Sequence, residues 1–504
     1  MIASIQVPVP KRIPPHGLFA FAALLLLGQL ATGTSLLFAE LVFLFVVLSG
    51  LAVNIAGGMR SLQGFCVSMM ALKLVVISQV TKALFGEAAE DQLETPVRTM
   101  LALLLGLISV TAGMGLARVF HSRRPLFQPD ISPEALRMSF WATFVIGFGS
   151  FLGVMATGVE EGALMVGGVP GLLRQLSFCL GLSIVFSTAY VLVTSKGRRL
   201  IGWFNALPGG LYFIMGVMSA SKQGMSEPLL LVVFTAIGFG FRFSAKHWLA
   251  GGAFAAFCVA VLFPFGQVAR NYTRGYGFWE TLEVTAAFAQ RHLGTLDGYR
   301  DMMQQDQEGL DSTTLTHYYR HSIPLLERVS LVKVADMLVA ATMREGGSGW
   351  ETITHGFKMA APRFFYPQKP AVNTGTFLGK KAGVISDDDW GTQVSFGFIA
   401  DAYSAFEWWG VLLIPGLIAG SFSLLFSHLV GEVRGNPWCI YLYAEYQHFF
   451  AEQTIAAMTL TVIRRPLWLV GAYASVRILL HLRKLRVASA ARPRDEQSTL
   501  GSPL

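Results

Sequence analysis

Runs of about 18 or more apolar residues recur along this chain, and each is long enough to cross roughly 30 Å of hydrocarbon as a helix. Inside lipid no water is available to the backbone, so a crossing segment must be a helix or part of a closed barrel. Barrel strands alternate apolar and polar residues, and these runs do not alternate. The expected fold is therefore all-α, a polytopic membrane bundle. The bulk numbers agree: 504 residues, 53% hydrophobic and 14% charged, with a mean hydropathy of +0.52. A soluble protein would carry about a quarter charged residues.

Run lengths place about twelve spans, at 17–33, 35–56, 62–85, 97–119, 138–157, 176–194, 200–219, 228–242, 247–268, 403–427, 438–460 and 466–482. The first and eighth are short enough to be re-entrant or tilted. Alternate connections carry Lys11 and Arg12, Arg60, Arg123, Arg124 and Arg137, Lys196, Arg198 and Arg199, Arg242 and Lys246, Arg434, and Arg483, Lys484 and Arg486. The others are acidic, with Glu87, Glu90, Asp91 and Glu94 in one and Glu160 and Glu161 in another. Basic loops stay cytoplasmic, so both termini are expected in the cytoplasm and the long polar segment outside it. The net charge of +8 then reports orientation, and no nucleic-acid partner is expected.

Cys66, Cys179, Cys258 and Cys439 lie in or at the edge of apolar runs, with no metal spacing, and read as small core hydrophobes without a disulfide. The first run follows Lys11 and Arg12 like a signal peptide but lacks a small-residue cleavage site, so it is expected to stay as a span.

Four regions follow: a membrane bundle of about nine spans over 1–268, a long polar cap over 269–402, closing spans over 403–482, and a basic tail over 483–504. The cap holds 15 of the 31 acidic residues and is too long for a bare connector. Apolar spacing predicts amphipathic helices over about 279–300 and 328–343, lying at the membrane face or packed within a small cap.

Three groups of residues could carry chemistry. Arg270 and Arg274, in RNYTRGYG, sit on the non-cytoplasmic side against the charge bias. They suit a phosphate grip, or equally an interfacial anchor. The stretch RFFYPQKP at 363–370 holds Arg363 and Lys369 six residues apart in a proline-fixed turn, with Phe365 and Tyr366 able to stack on a sugar. It also fits a rigid loop with solvated charges. Glu445, His448 and Glu452 stand at i, i+3 and i+7, which on one helix puts them on one face. Ionisable groups within a span point to function. This face is expected to line a wet cavity near Arg464 and Arg465, or to neutralise those arginines inside the bundle. A di-metal site needs a second Glu-x-x-His copy, which is missing, so no metal and no cofactor are expected. Lys73, near the middle of the third run, either pairs with a carboxylate or snorkels. Trp408 and Trp409 fit an aromatic belt. No nucleophile elbow or HExxH appears.

The string ERVSLVKVADML at 327–338, a glycine-containing turn, PRFFYPQKP at 362–370 and FGFIADAYSAFEWWG at 396–410 together resemble the Wzy-type O-antigen and exopolysaccharide repeat-unit polymerases. Asp401, Ala402, Tyr403, Phe406 and Gly410 match the family's pattern, and Glu407 stands where its first glycine is often found. The likeness covers about 325–420 in detail and the rest by topology.

It implies a GT-C-like glycosyltransferase of the bacterial inner membrane, with its long loop periplasmic. Such an enzyme moves a growing glycan from undecaprenyl diphosphate onto a new lipid-linked oligosaccharide repeat. Its partners would be the bilayer, a chain-length regulator and a flippase. On this reading Arg270, Arg274, Arg363 and Lys369 hold the diphosphate, with Arg464 and Arg465 in reserve. Tyr366, Tyr403, Glu445 and His448 join the substrate-binding surface. Asp401, then Glu407 and the run Asp387, Asp388 and Asp389, are the candidate bases. An O-antigen ligase, a lipid-linked oligosaccharide flippase or a non-catalytic secretion subunit are the alternatives.

Overall fold

The computed structural model describes residues 5–120, 124–157, 168–273, 276, 278–311, 317–320, 324–361, 366, 374–389 and 392–490. It is helical nearly throughout. Strand pairing among the described residues is limited to Ile5–Gln6 against Arg242–Phe243, antiparallel. Eight described helices are long and apolar enough to cross a membrane: Leu36–Ile55, Leu62–Leu84, Pro96–Val119, Pro133–Ala156, Gly168–Thr194, Ala245–Thr273, Phe398–Leu429 and Ile455–Leu485. The chain is an all-α membrane protein.

The other apolar runs form shorter elements. Pro15–Ala31 has 17 residues, Trp203–Met218 has 16 and Lys222–Gly238 has 17, against the roughly 20 that 30 Å of hydrocarbon asks for. The run at 438–460 is not one helix. It divides into Pro437–Tyr446, Phe449–Glu452 and the start of Ile455–Ala490. Glu445, His448 and Glu452 therefore do not share a single helix face.

The expected amphipathic helices also differ from expectation. The first is two helices, Phe278–Leu293 and Leu296–Asp311. The second, Leu331–Glu345, is packed and does not lie at the membrane face: Leu331 through Thr342 are buried except the half-buried Val334. Its Asp336 has no solvent exposure and accepts four hydrogen bonds. They come from the backbone N–H groups of Glu94 (2.6 Å) and Thr95 (3.0 Å) and from the hydroxyls of Thr95 (2.9 Å) and Thr99 (2.8 Å). A carboxylate there satisfies orphan donors at the start of Pro96–Val119 and meets the positive end of its dipole.

The acidic connection before that helix is likewise bound to the long polar segment. Arg344 pairs with Glu94 at 2.7 Å and Arg320 with Asp91 at 2.5 Å. Lys82 pairs with Glu87 at 2.8 Å, both buried, and lies over the Tyr318 ring at 4.5 Å. Glu327 accepts the backbone N–H groups of Tyr318 and Tyr319, and burial raises its pKa above the ordinary glutamate value. The acidic connection and the long segment thus share one end of the bundle. Arg60 donates from its side chain to Val9 O at 2.8 Å and accepts from Val433 N–H at 3.0 Å with its backbone carbonyl, while Arg483 pairs with Glu134.

Pro96–Val119 and Phe398–Leu429 cross closely because small residues meet there. A Cβ on Gly113 would lie 2.0 Å from the Gly416 carbonyl oxygen, and one on Gly106 would lie 2.4 Å from Ile399. Without a strong hydrophobic drive between helices in lipid, such close approach and interhelical hydrogen bonds hold them together. Ser109 supplies the bonds. Its hydroxyl donates to Leu412 O at 2.7 Å and accepts from Gly416 N–H at 2.9 Å. These two groups are four residues apart, beside Pro415, so the serine bridges a point where the helix ladder opens. Ser109→Ala is expected to cost about 0.6–1.7 kcal/mol and Gly113→Ala about 1–3 kcal/mol through overpacking. Unfolding midpoints of the purified protein in detergent will read both, and unchanged midpoints would remove the crossing from its structural role.

Candidate functional site

The divided run 437–454 lies inside the bundle, with Phe449, Phe450 and Ala451 buried. Non-helical backbone at that depth is tolerated where it is buried in protein or lines a polar cavity. Its two carboxylates are each paired with a cation from a neighbouring helix. Glu445 pairs with Arg465 and accepts from Tyr441 OH at 2.6 Å; Arg465 also donates to Tyr441 OH at 3.0 Å and rests over the Phe178 ring at 4.8 Å. Glu227, buried on Lys222–Gly238, faces the same guanidinium and accepts from Tyr212 OH. Glu452 pairs with Lys73 at 2.7 Å. Lys73 stands on a π-helical turn, Leu72–Val76, an irregularity often found at functional positions. The lysine therefore pairs with a carboxylate. His448 lies between the two pairs in sequence, and its Nδ1 is buried without a hydrogen-bond partner among the described residues.

Asp401 sits next to this break. It is fully buried, and its Oδ2 accepts the Ile455 N–H at 2.7 Å, so it caps the Ile455–Ala490 helix. A carboxylate enclosed in this way meets no acceptor sugar from solvent. Arg464 spans the same helix start: its guanidinium donates to Ala360 O at 3.1 Å and Ala361 O at 3.3 Å, ending the Glu351–Ala360 helix. Thr454 Oγ1 donates to Thr374 Oγ1 at 3.3 Å. The residues on both sides of 362–373 are therefore fastened to the first turns of Ile455–Ala490. Arg363, Phe365 and Lys369 themselves, like Arg274, lie outside the described residues, and Tyr366 is half-buried. Arg270 is on Ala245–Thr273, where it donates to Ala220 O at 3.0 Å.

A second group forms where Phe398–Leu429 kinks. Phe406 (φ −140°, ψ 31°) and Glu407 (φ 48°, ψ −129°) leave helical geometry. Glu407 thus holds a backbone conformation that suits glycine, at the position where the resembling family often has one. Gly410 is needed on the other side of the kink, because a Cβ there would lie 1.9 Å from Ala402 O. Arg98, on Pro96–Val119, reaches across. Its Nε donates to Tyr403 OH at 2.5 Å, its guanidinium lies 5.4 Å from the Trp408 ring centre, and it stands 3.8 Å from the Glu407 carboxylate. Composition and motif reading missed Arg98. The available signal was an arginine two residues past Pro96, at the acidic end of a span.

Below the kink a cavity of about 570 Å³ opens between Glu351–Ala360, Phe398–Leu429 and Ile455–Ala490, with Trp350, Phe357, Phe406, Trp409, Leu413 and Ile463 among its walls. Its lining is almost wholly apolar. Trp409, expected in an aromatic belt, is largely exposed at this wall, whereas Trp408 turns to Arg98. Nearby cations are half-buried. Lys381 donates to Gly346 O at 2.8 Å and Ser404 Oγ at 3.3 Å, and burial draws its pKa down while Glu345 and Asp401 oppose that. His355, on Glu351–Ala360, has its pKa lowered first by burial and then by Lys358.

Asp387, Asp388 and Asp389 lie on an exposed turn, where Ser386 hydrogen-bonds Asp388 and lowers its pKa. No group of three or more metal-ligating side chains occurs among the described residues.

Two arrangements therefore meet at one end of the bundle: an apolar cavity bounded by Ile455–Ala490, and a set of cations and carboxylates at the head of that helix. This combination can take an amphipathic ligand with an anionic head. Compared with known proteins, the chain matches no family model, no curated protein and no solved structure.

The Glu407 backbone generates a prediction. Relieving a left-handed residue is worth about 1–3 kcal/mol, so Glu407→Gly is expected to raise the unfolding midpoint in detergent, and Glu407→Ala is not. Equal midpoints for the two variants would show that the kink stores no strain at this residue.

Proposed function

We propose that this chain is a glycan polymerase of the bacterial inner membrane that uses undecaprenyl-diphosphate-linked oligosaccharides. It transfers the growing glycan from its lipid carrier to the end of a newly delivered lipid-linked repeat. The observation that carries the reading is the joint anchoring of the 362–373 connection. Ala360 and Ala361 are held by Arg464, and Thr374 by Thr454, on the helix that also walls the apolar cavity. A polyprenyl tail needs a long apolar wall open to the bilayer, and its diphosphate needs fixed cations at the end of that wall. The likeness of 325–420 to the repeat-unit polymerases supports the same assignment.

In this reading Arg363 and Lys369, together with Arg464, stabilise the charge that develops on the departing diphosphate. Arg465 is already committed to Glu445 and Tyr441, so it shapes the site and does not bind the leaving group. Tyr403 holds Arg98. Glu407 lies between the cavity-lining Phe406 and Trp409 in the chain, with Arg98 at 3.8 Å, and in this reading glycan hydroxyls pass there. Asp401 serves the helix start and leaves the list of bases.

The buried Glu227, Glu445 and Arg465 cluster favours a second reading, a lipid-linked oligosaccharide flippase, because charge deep in a bundle suits a translocation path.

One experiment separates these. Arg363→Ala, expressed at the normal level in cells lacking the native chain, is expected to lose long polymer and accumulate single lipid-linked repeats on the outer face. The loss should be about 10²-fold, as for removal of one transition-state donor. Polymer of unchanged length would overturn the clamp. Repeats trapped on the cytoplasmic face would favour the flippase, and long chains that never reach lipid A would indicate a ligase.

A further inference from the structure

The polymerase reading leaves open which group takes the proton from the acceptor hydroxyl. Most carboxylates at this end of the bundle already have a structural task. Asp336 accepts four hydrogen bonds at the start of Pro96–Val119. Asp401 caps Ile455. Glu445 is held by Arg465 and Tyr441. Glu87 accepts from the Arg320 N–H and pairs with Lys82, and Glu327 accepts the N–H groups of Tyr318 and Tyr319. Glu407 is half exposed at the kink.

Glu452 differs from all of these. Its side chain is 29% exposed, so it is partly desolvated yet open to a ligand. Lys73 Nζ donates to Oε1 at 2.7 Å, while Oε2 receives no hydrogen bond from the described residues. It lies two residues before Thr454, which ties the cationic connection to this helix. His448, four residues earlier, has a buried Nδ1 without a hydrogen-bond partner among the described residues. The lysine that holds Glu452 stands on the π-helical turn of another helix, and Glu452 ends a helix of only four residues. Two backbone irregularities thus bring these side chains together.

We propose that Glu452 is the general base for the acceptor sugar, with Lys73 as the residue that positions it. This rests on the polymerase reading. The acceptor hydroxyl oxygen attacks the anomeric carbon of the donor glycan as Glu452 Oε2 takes its proton. The bond from that carbon to the diphosphate oxygen breaks, and its electron pair leaves with the diphosphate. A positioned base typically contributes about 10²–10⁴-fold.

The test uses the purified full-length protein in liposomes, supplied with a polyprenyl-diphosphate-linked oligosaccharide repeat. Wild-type protein that makes no polymer would sink the polymerase reading itself. Given wild-type turnover, Glu452→Gln is expected to lower kcat about 10²-fold or more, with KM changed less than about threefold. Glu452→Asp should restore part of that loss. In Glu452→Ala, added formate should raise the rate by standing in for the missing carboxylate, an effect that a merely structural residue would not show. Glu452→Gln within about threefold of wild-type kcat, or a Glu452→Ala rate that formate leaves unchanged, would overturn the assignment.

Discussion

The crossing of Pro96–Val119 and Phe398–Leu429 fixes the groups around the kink at Phe406 and Glu407. Gly106, Gly113 and Gly416 let two backbones approach to the point where an added methyl has no room, and Ser109 bonds the groups that Pro415 leaves open. In hydrocarbon such contacts replace the hydrophobic drive that assembles soluble helices. The register they set brings Arg98 onto Tyr403 and Trp408, and it sets Asp401 against the Ile455 N–H. A slip of one turn, about 5.4 Å, would separate both pairs.

A second layer of order is electrostatic. The connection that holds Glu87, Asp91 and Glu94 is matched to Lys82, Arg320 and Arg344. Asp336 inserts between it and the next helix. Partial burial raises the cost of leaving any of these charges alone. The long polar segment is therefore fixed to the bundle at several points, and the Glu351–Ala360 helix can present one wall of the apolar cavity. The head of Ile455–Ala490 gathers the rest: Asp401, Thr454, Arg464 and Arg465 all act within its first turns.

Much of this was legible in residue order. Apolar runs gave the membrane class and most helix positions, since span length follows from hydrocarbon thickness. The stretch 396–410 stood out before its kink was known, and Glu407 within it has the positive φ that a glycine would take easily. Other features were hidden. The run 438–460 looked continuous because its residues at 447–454 carry no proline or glycine that would signal a break. The helix at 331–345 looked amphipathic, yet it is buried, because Lys333 and Asp336 find partners in a connection more than 200 residues away.

The sequence alone determined an all-helical membrane chain and the placement of its charges in alternate connections, because a lipid solvent constrains composition one segment at a time. Only the tertiary structure decided which charges meet. It separated Glu445 from Glu452 and gave each its own cation. It turned Asp401 into a helix cap and brought in Arg98. Ion pairs, caps and cavities depend on distances between segments, and local composition carries no record of those distances.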